Sequence, residues 1–177
     1  MCDDLEQQLC QCPDFQYIHQ HLFSSKQLPT SAWALLKAYG IDSVIDIDFA
    51  TASTTSKTAC DRDCVDAGLK YIHIPLDLSQ PADEQCLLIL DLIDYISREK
   101  MLWLQGNTQI VSCLLYLYRL HYLQFDIAEA DACLQQHWQP DATWTGLMHV
   151  IGLQLQGRKA TQELQQTLAQ VEQAHDA

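Results

Sequence analysis

Between Lys100 and Leu120 the chain reads KMLWLQGNTQIVSCLLYLYRL, and the polar residues at its centre are those whose type and spacing could do chemistry: Gln105, Asn107, Thr108 and Gln109 around Gly106. The apolar residues Met101 to Leu104 predict a short buried strand, and the apolar run from Ile110 predicts a helix, which leaves Gln105 to Gln109 as the loop between them. A loop of that kind points backbone N–H groups and the positive end of the helix dipole at one spot. It would bind an anion, or a small polar ligand through the side-chain amides, which offer hydrogen bonds without charge.

Other reactive side chains are scattered. Asp77 follows a run of apolar residues and reads as a loop carboxylate that ties down backbone N–H groups. His73 alternates with apolar neighbours, as a hydrogen-bonded core histidine does. Cys60 and Cys64 lie four residues apart on one helical face, where small thiols packed on a sheet explain them as well as a redox or metal pair would. Cys10 and Cys12 form a close pair, but no second Cys or His pair stands at a zinc-finger spacing. Cys113 falls inside the predicted helix, aimed into its packing. No metal and no cofactor is expected.

These residues need elements to hold them. Phe15, Tyr17 and Leu22 suggest strand pieces around a turn, and Thr30 or Ser31 is placed to cap a helix carrying Trp33, Leu35, Leu36 and Tyr39, which Gly40 ends. A buried strand follows over Ser43 to Phe49. The run Ala50 to Ala59, rich in small hydroxyl residues, reads as a solvated loop. A helix from Thr58 to Ala67 stops at Gly68, a second buried strand starts near Leu69, and Asp83 and Glu84 mark the acidic first turn of a helix over Ala82 to Glu99. Further helices are expected over Ile127 to His137 and from Asp141, whose Trp144, Leu147, Met148 and Ile151 face the core. Alternating strands and helices predict an α/β fold with a central, mainly parallel sheet flanked by helices.

Several segments together resemble the protein tyrosine phosphatase-like superfamily, closest to a small bacterial phosphatase-like group related to the beta-lactamase-hydrolase-associated domain. The segment Val111-Ser112-Cys113-Leu114-Leu115-Tyr116-Leu117-Tyr118-Arg119 is similar to the V-S and L-Y-R helix that follows the group's phosphate loop. The spacing of Trp138, Pro140, Asp141 and Trp144 is similar to its C-terminal helix start. The resemblance spans residues 14 to 155 and implies a cysteine-phosphatase-like, dual-specificity phosphatase-like fold. Counted without a gap, it sets Leu104 at the family's histidine, Gln105 at its nucleophilic cysteine and Ile110 at its phosphate-binding arginine; slipped by one residue to match Asn107, it sets Leu104 at the cysteine and Gln109 at the arginine. An amide and an aliphatic side chain supply neither a thiolate nor a charged bidentate fork. The resemblance also sets Asp77 at the position of the general acid.

The expectation is therefore a catalytically inactive, phosphatase-like binding or regulatory module. Its vestigial site is Gln105 and Ile110, and its ligand contacts are Gln105, Gly106, Asn107, Thr108 and Gln109. The alternative is a hydrolase with non-cysteine chemistry that uses Asp77. Ten basic against 23 acidic residues give a net charge of -13, which repels nucleic acid and anionic lipid, so neither is an expected partner. An acidic, polar start and the lack of any run near the ~20 apolar residues of a membrane span suggest a cytoplasmic protein with free thiols. The domain division read from the chain is a flexible arm over 1–13, a phosphatase-like domain over 14–156 and a helical tail over 157–177, divided by a break at Gly157 to Lys159. In that tail, Leu164, Leu168 and Val171 form a narrow apolar stripe, which either folds back on the domain or contacts another copy.

Overall fold

The structure is a computed structural model and describes residues 2–50, 57–78 and 82–175. In chain order the elements are α1 (Cys2–Cys10), β1 (Gln16–His19), β2 (Leu22–Ser24), α2 (Trp33–Tyr39), β3 (Ser43–Phe49), α3 (Lys57–Asp66), β4 (Lys70–Leu76), α4 (Ala82–Ser97), β5 (Leu102–Gly106), α5 (Thr108–His121), α6 (Ile127–His137) and α7 (Ala142–His175). The strands make one sheet in the order β1-β2-β5-β3-β4, in which only β1 runs antiparallel to its neighbour. Residues 51–56 of the predicted hydroxyl-rich loop lie outside the described residues.

The pleat sorts the core into two layers. Side chains alternate along a strand, so Leu102 and Leu104 of β5 join Ile45 and Ile47 of β3 under α4, α5 and α7. Trp103 and Val44 point the other way and pack with Trp33, Leu36 and Cys64 under α2 and α3. Helices thus cover both faces, which is the expected α/β architecture. Gly40 closes α2 in a left-handed conformation (φ 108°) that glycine adopts without strain. Asp141 Oδ1 accepts the N–H of Trp144 at 3.0 Å, the cap the sequence indicates.

Four local expectations are corrected. Residues 2–10 are helix α1, not part of a loose arm, because Leu9 is buried in the layer that holds Trp33 and Leu36. Thr30 and Ser31 do not cap α2: they belong to a single 3-10 turn, and Ala32 takes the cap position without a side-chain bond. The five-residue loop Gln105 to Gln109 is not formed, since β5 runs through Gly106 and α5 starts at Thr108. Finally, Gly157 to Lys159 does not break the chain, and α7 continues through it as one helix of 34 residues.

Candidate functional site

All four parallel strands end at the same edge of the sheet, and β5 reaches it between β2 and β3. Such an edge is where ligands of α/β proteins bind. Here the pleat sends Gln105 away from α5, into the layer of Trp103, where it is fully buried. Its Oε1 accepts the N–H of Leu28 at 3.3 Å, and its Nε2 donates to Asp46 Oδ2 at 3.3 Å. The same carboxylate oxygen accepts the Tyr71 hydroxyl at 2.7 Å. Gln105 therefore ties β5 to β3, to β4 and to the segment after β2.

Gly106 is fixed by contact and by conformation. It has φ 133°, and a Cβ added there would stand 1.9 Å from the carbonyl oxygen of Ile47. The next N–H, that of Asn107, donates to this same oxygen at 2.8 Å. The two strands approach so closely that only glycine fits.

Asn107 then consumes the first turn of α5. Its Oδ1 accepts the N–H of Gln109 at 3.0 Å and that of Ile110 at 3.4 Å, and its carbonyl oxygen accepts the N–H of Val111 at 3.0 Å. This is the preferred asparagine N-cap geometry. The N–H groups that would converge on an anion are held by the chain itself. Ile110 is fully buried in the core, and Thr108 and Gln109 are half-buried at the start of the helix.

Gly106 and Thr108 line a cleft with Ser24, Ser25, Ser112 and His137, of about 10 Å³. That is room for one water at most, far less than a phosphate group requires. Lys26 at its rim is paired with Asp14 at 2.7 Å. Burial holds His137 below the usual imidazole range; Asp14 opposes this, while Arg119 and Lys26 add to it. Arg119 is itself buried and donates to Gln16 Oε1 at 3.0 Å, joining α5 to β1.

Asp77 follows β4 at the same edge, two strands from β5, roughly 10 Å across the sheet. Its N–H donates to Gln85 Oε1 at 3.3 Å. The structure thus brings Asp77 to the end of the sheet that carries Gly106. His73 sits in register with Asp46, on the same face of the sheet as Tyr71, and is half-buried. Cys113 is fully buried, and burial drives its thiol pKa far up, with Cys86 adding to the shift. Cys64 is buried in the layer of Trp33, whereas the side chain of Cys60 lies outside the described residues. Cys10 is exposed, and Cys12 is raised by burial and by Cys10. The sequence reading missed the Asp46–Tyr71 pair behind Gln105. A carboxylate inside the apolar run Val44 to Phe49 is the signal that could have found it, because a buried carboxylate requires donors. Asn107 one residue before a helix is the matching signal for the cap.

No protein-family model and no curated protein matches the chain. Solved structures do. The DUF442 protein of Shewanella putrefaciens CN-32 is similar with a TM-score of 0.69 at 21% identity, covering 84% of this chain and 97% of its own. TpbA of P. aeruginosa aligns with a TM-score of 0.61 at 14% identity, over 81% of this chain and 91% of its own. Human DUSP28 aligns at 0.58 and 10% identity, over 81% and 96%. The fold is that of the PTP-like and dual-specificity-like phosphatases.

Proposed function

We propose that this chain is a pseudophosphatase, a catalytically inactive member of the phosphatase-like superfamily that acts as a binding or regulatory module. The observation that supports this most is the wiring of Gln105. At the position where the resemblance expects an exposed thiolate, an amide is buried and bound to Leu28 and Asp46. Capping by Asn107 supports the same reading, because it takes the N–H groups of Gln109 and Ile110 that an oxyanion would need. Ile110, at the position of the arginine, is part of the core and offers a phosphoryl group nothing. A module of this kind works through its surfaces, with a protein as the principal partner and at most a small polar ligand at the loop. The free thiols of Cys10, Cys12, Cys64, Cys86, Cys113 and Cys133 fit a cytoplasmic setting.

One observation favours a second reading, a hydrolase of altered chemistry: Asp77 shares the sheet edge with Gly106. The two readings part in one assay. Under the first, an aryl phosphate is turned over no faster than in buffer, and vanadate gives no thermal shift. Turnover above the buffer rate that disappears in Asp77→Asn would replace the first reading by the second.

A further inference from the structure

Among the described residues two apolar surfaces are left uncovered, and they match. The first is a groove between α4 and the free edge of the sheet at β4. Along α4, Leu88, Leu92 and Tyr95 follow one another at spacings of four and three; Leu88 is 68% and Tyr95 75% exposed. Two hollows of about 440 and 310 Å³ lie beside them, floored by Ile72 and Ile74 of β4 and sharing Leu92. At the C-terminal end of α4 the groove is rimmed by Lys70, Arg98, Glu99 and Lys100; Arg98 is paired with Asp94, and Lys70 and Lys100 leave the rim cationic in a chain whose net charge is -13.

The second surface is the tail of α7. Beyond Gln156 every described side chain to Val171 is exposed, and Leu164, Leu168 and Val171 repeat the spacing of four and three. Arg158 pairs with Asp91 at 2.9 Å and Gln162 lies beside Asp94 and Arg98; past them, an exposed helical extension is marginal in water and requires packing of its apolar face. Because α7 is unbroken through Gly157, the tail runs on as a straight helix past the points where Gln154 and Arg158 bind Asp83 and Asp91 of α4, and does not turn back to its own groove.

We propose that the tail of α7 occupies the α4/β4 groove of a second copy of the chain, and that two copies exchange tails. Laid antiparallel to α4, the tail sets Val171 towards Leu88, Leu168 against Leu92 and Leu164 against Tyr95. This direction brings Glu163 to the Lys70 and Lys100 side of the rim, and it opposes the two helix dipoles. The parallel direction carries Glu163 to the far end of the groove, away from those cations. Exchange in both directions closes the assembly at two copies and prevents an open chain. The inference is independent of whether the loop at Gln105 is catalytic.

Analytical ultracentrifugation of the full chain tests it. The wild type forms dimers as its concentration rises to about 100 µM. Leu168→Glu and Tyr95→Glu, both at exposed positions and both checked for unchanged circular dichroism, are each monomeric. An equimolar mixture of the two variants associates again, since one supplies an intact groove and the other an intact tail. Glu163→Lys weakens the dimer at least 10-fold, and Lys100→Glu in the same chain recovers most of that loss. A monomeric wild type overturns the proposal and leaves the groove to a foreign segment. A dimer lost in Leu168→Glu but kept in Tyr95→Glu overturns it in favour of tails that pair with each other, and a mixture that stays monomeric overturns it as well.

Discussion

At the scale of single residues, the site is governed by what its side chains do inward. Gly106 has its Cβ direction blocked by the Ile47 carbonyl and a φ that L residues avoid. Gly106→Ala is therefore expected to lose at least about 3 kcal/mol, because backbone strain and a strand separation add, measured as a shift of the urea midpoint. A loss below 1 kcal/mol would mean that the β3–β5 seam is not as tight as described. Asn107→Ala removes the cap that accepts the N–H groups of Gln109 and Ile110, and should cost about 1 kcal/mol. The same variant frees those N–H groups, so a gain in sulfate protection that the wild type lacks is the accompanying result. That the run Gln105 to Gln109 carries amides and a hydroxyl, with no thiol or guanidinium, was legible in the sequence. The inward direction of Gln105 was not, since that depends on the register of Asp46 with Gln105 across β3 and β5.

At the scale of elements, most boundaries follow from local signals. Asp141, Gly40 and Gly68 mark their helix ends as the sequence suggests, and β3 and α6 run over the expected residues. The failures share a cause. Leu9 orders α1 only because a layer of Trp33 and Leu36 receives it, and Gln105 and Gly106 remain strand only because β3 lies beside them to pair with. Both effects come from residues distant in sequence. The helices also decide which thiols react. Cys86 of α4 is pushed up to about 12 by burial, with Asp83 adding, and burial also raises Cys113 of α5, with Cys86 adding. Alkylation of the native protein, mapped by peptide mass, should label Cys10 and spare Cys64, Cys86 and Cys113 until the chain is unfolded. Labelling of Cys113 at the rate of Cys10 would contradict its burial in the core with Cys86.

For the whole molecule, composition sets the response to pH. Burial lowers the pKa of His19, His121 and His137 below the ordinary 6.5. The unfolded chain then binds protons that the folded chain refuses, so stability is full above about pH 6.5 and falls as the pH drops through the lower, folded values. Thermal midpoints should rise from pH 5 to pH 7 and level off above it. A midpoint that is flat or higher at pH 5 would show that these rings are not burdened by burial. No helix among the described residues is long and apolar enough to cross a membrane. The continuity of α7 has a mechanical consequence. At 1.5 Å per residue its 34 residues form a rod roughly 50 Å long, rooted against α4 and α5 by Trp144, Met148 and Ile151. A spin label placed near the far end of that rod should tumble with the slow time of the entire particle, and whatever grips the tip will turn the sheet with it, as a handle turns a key.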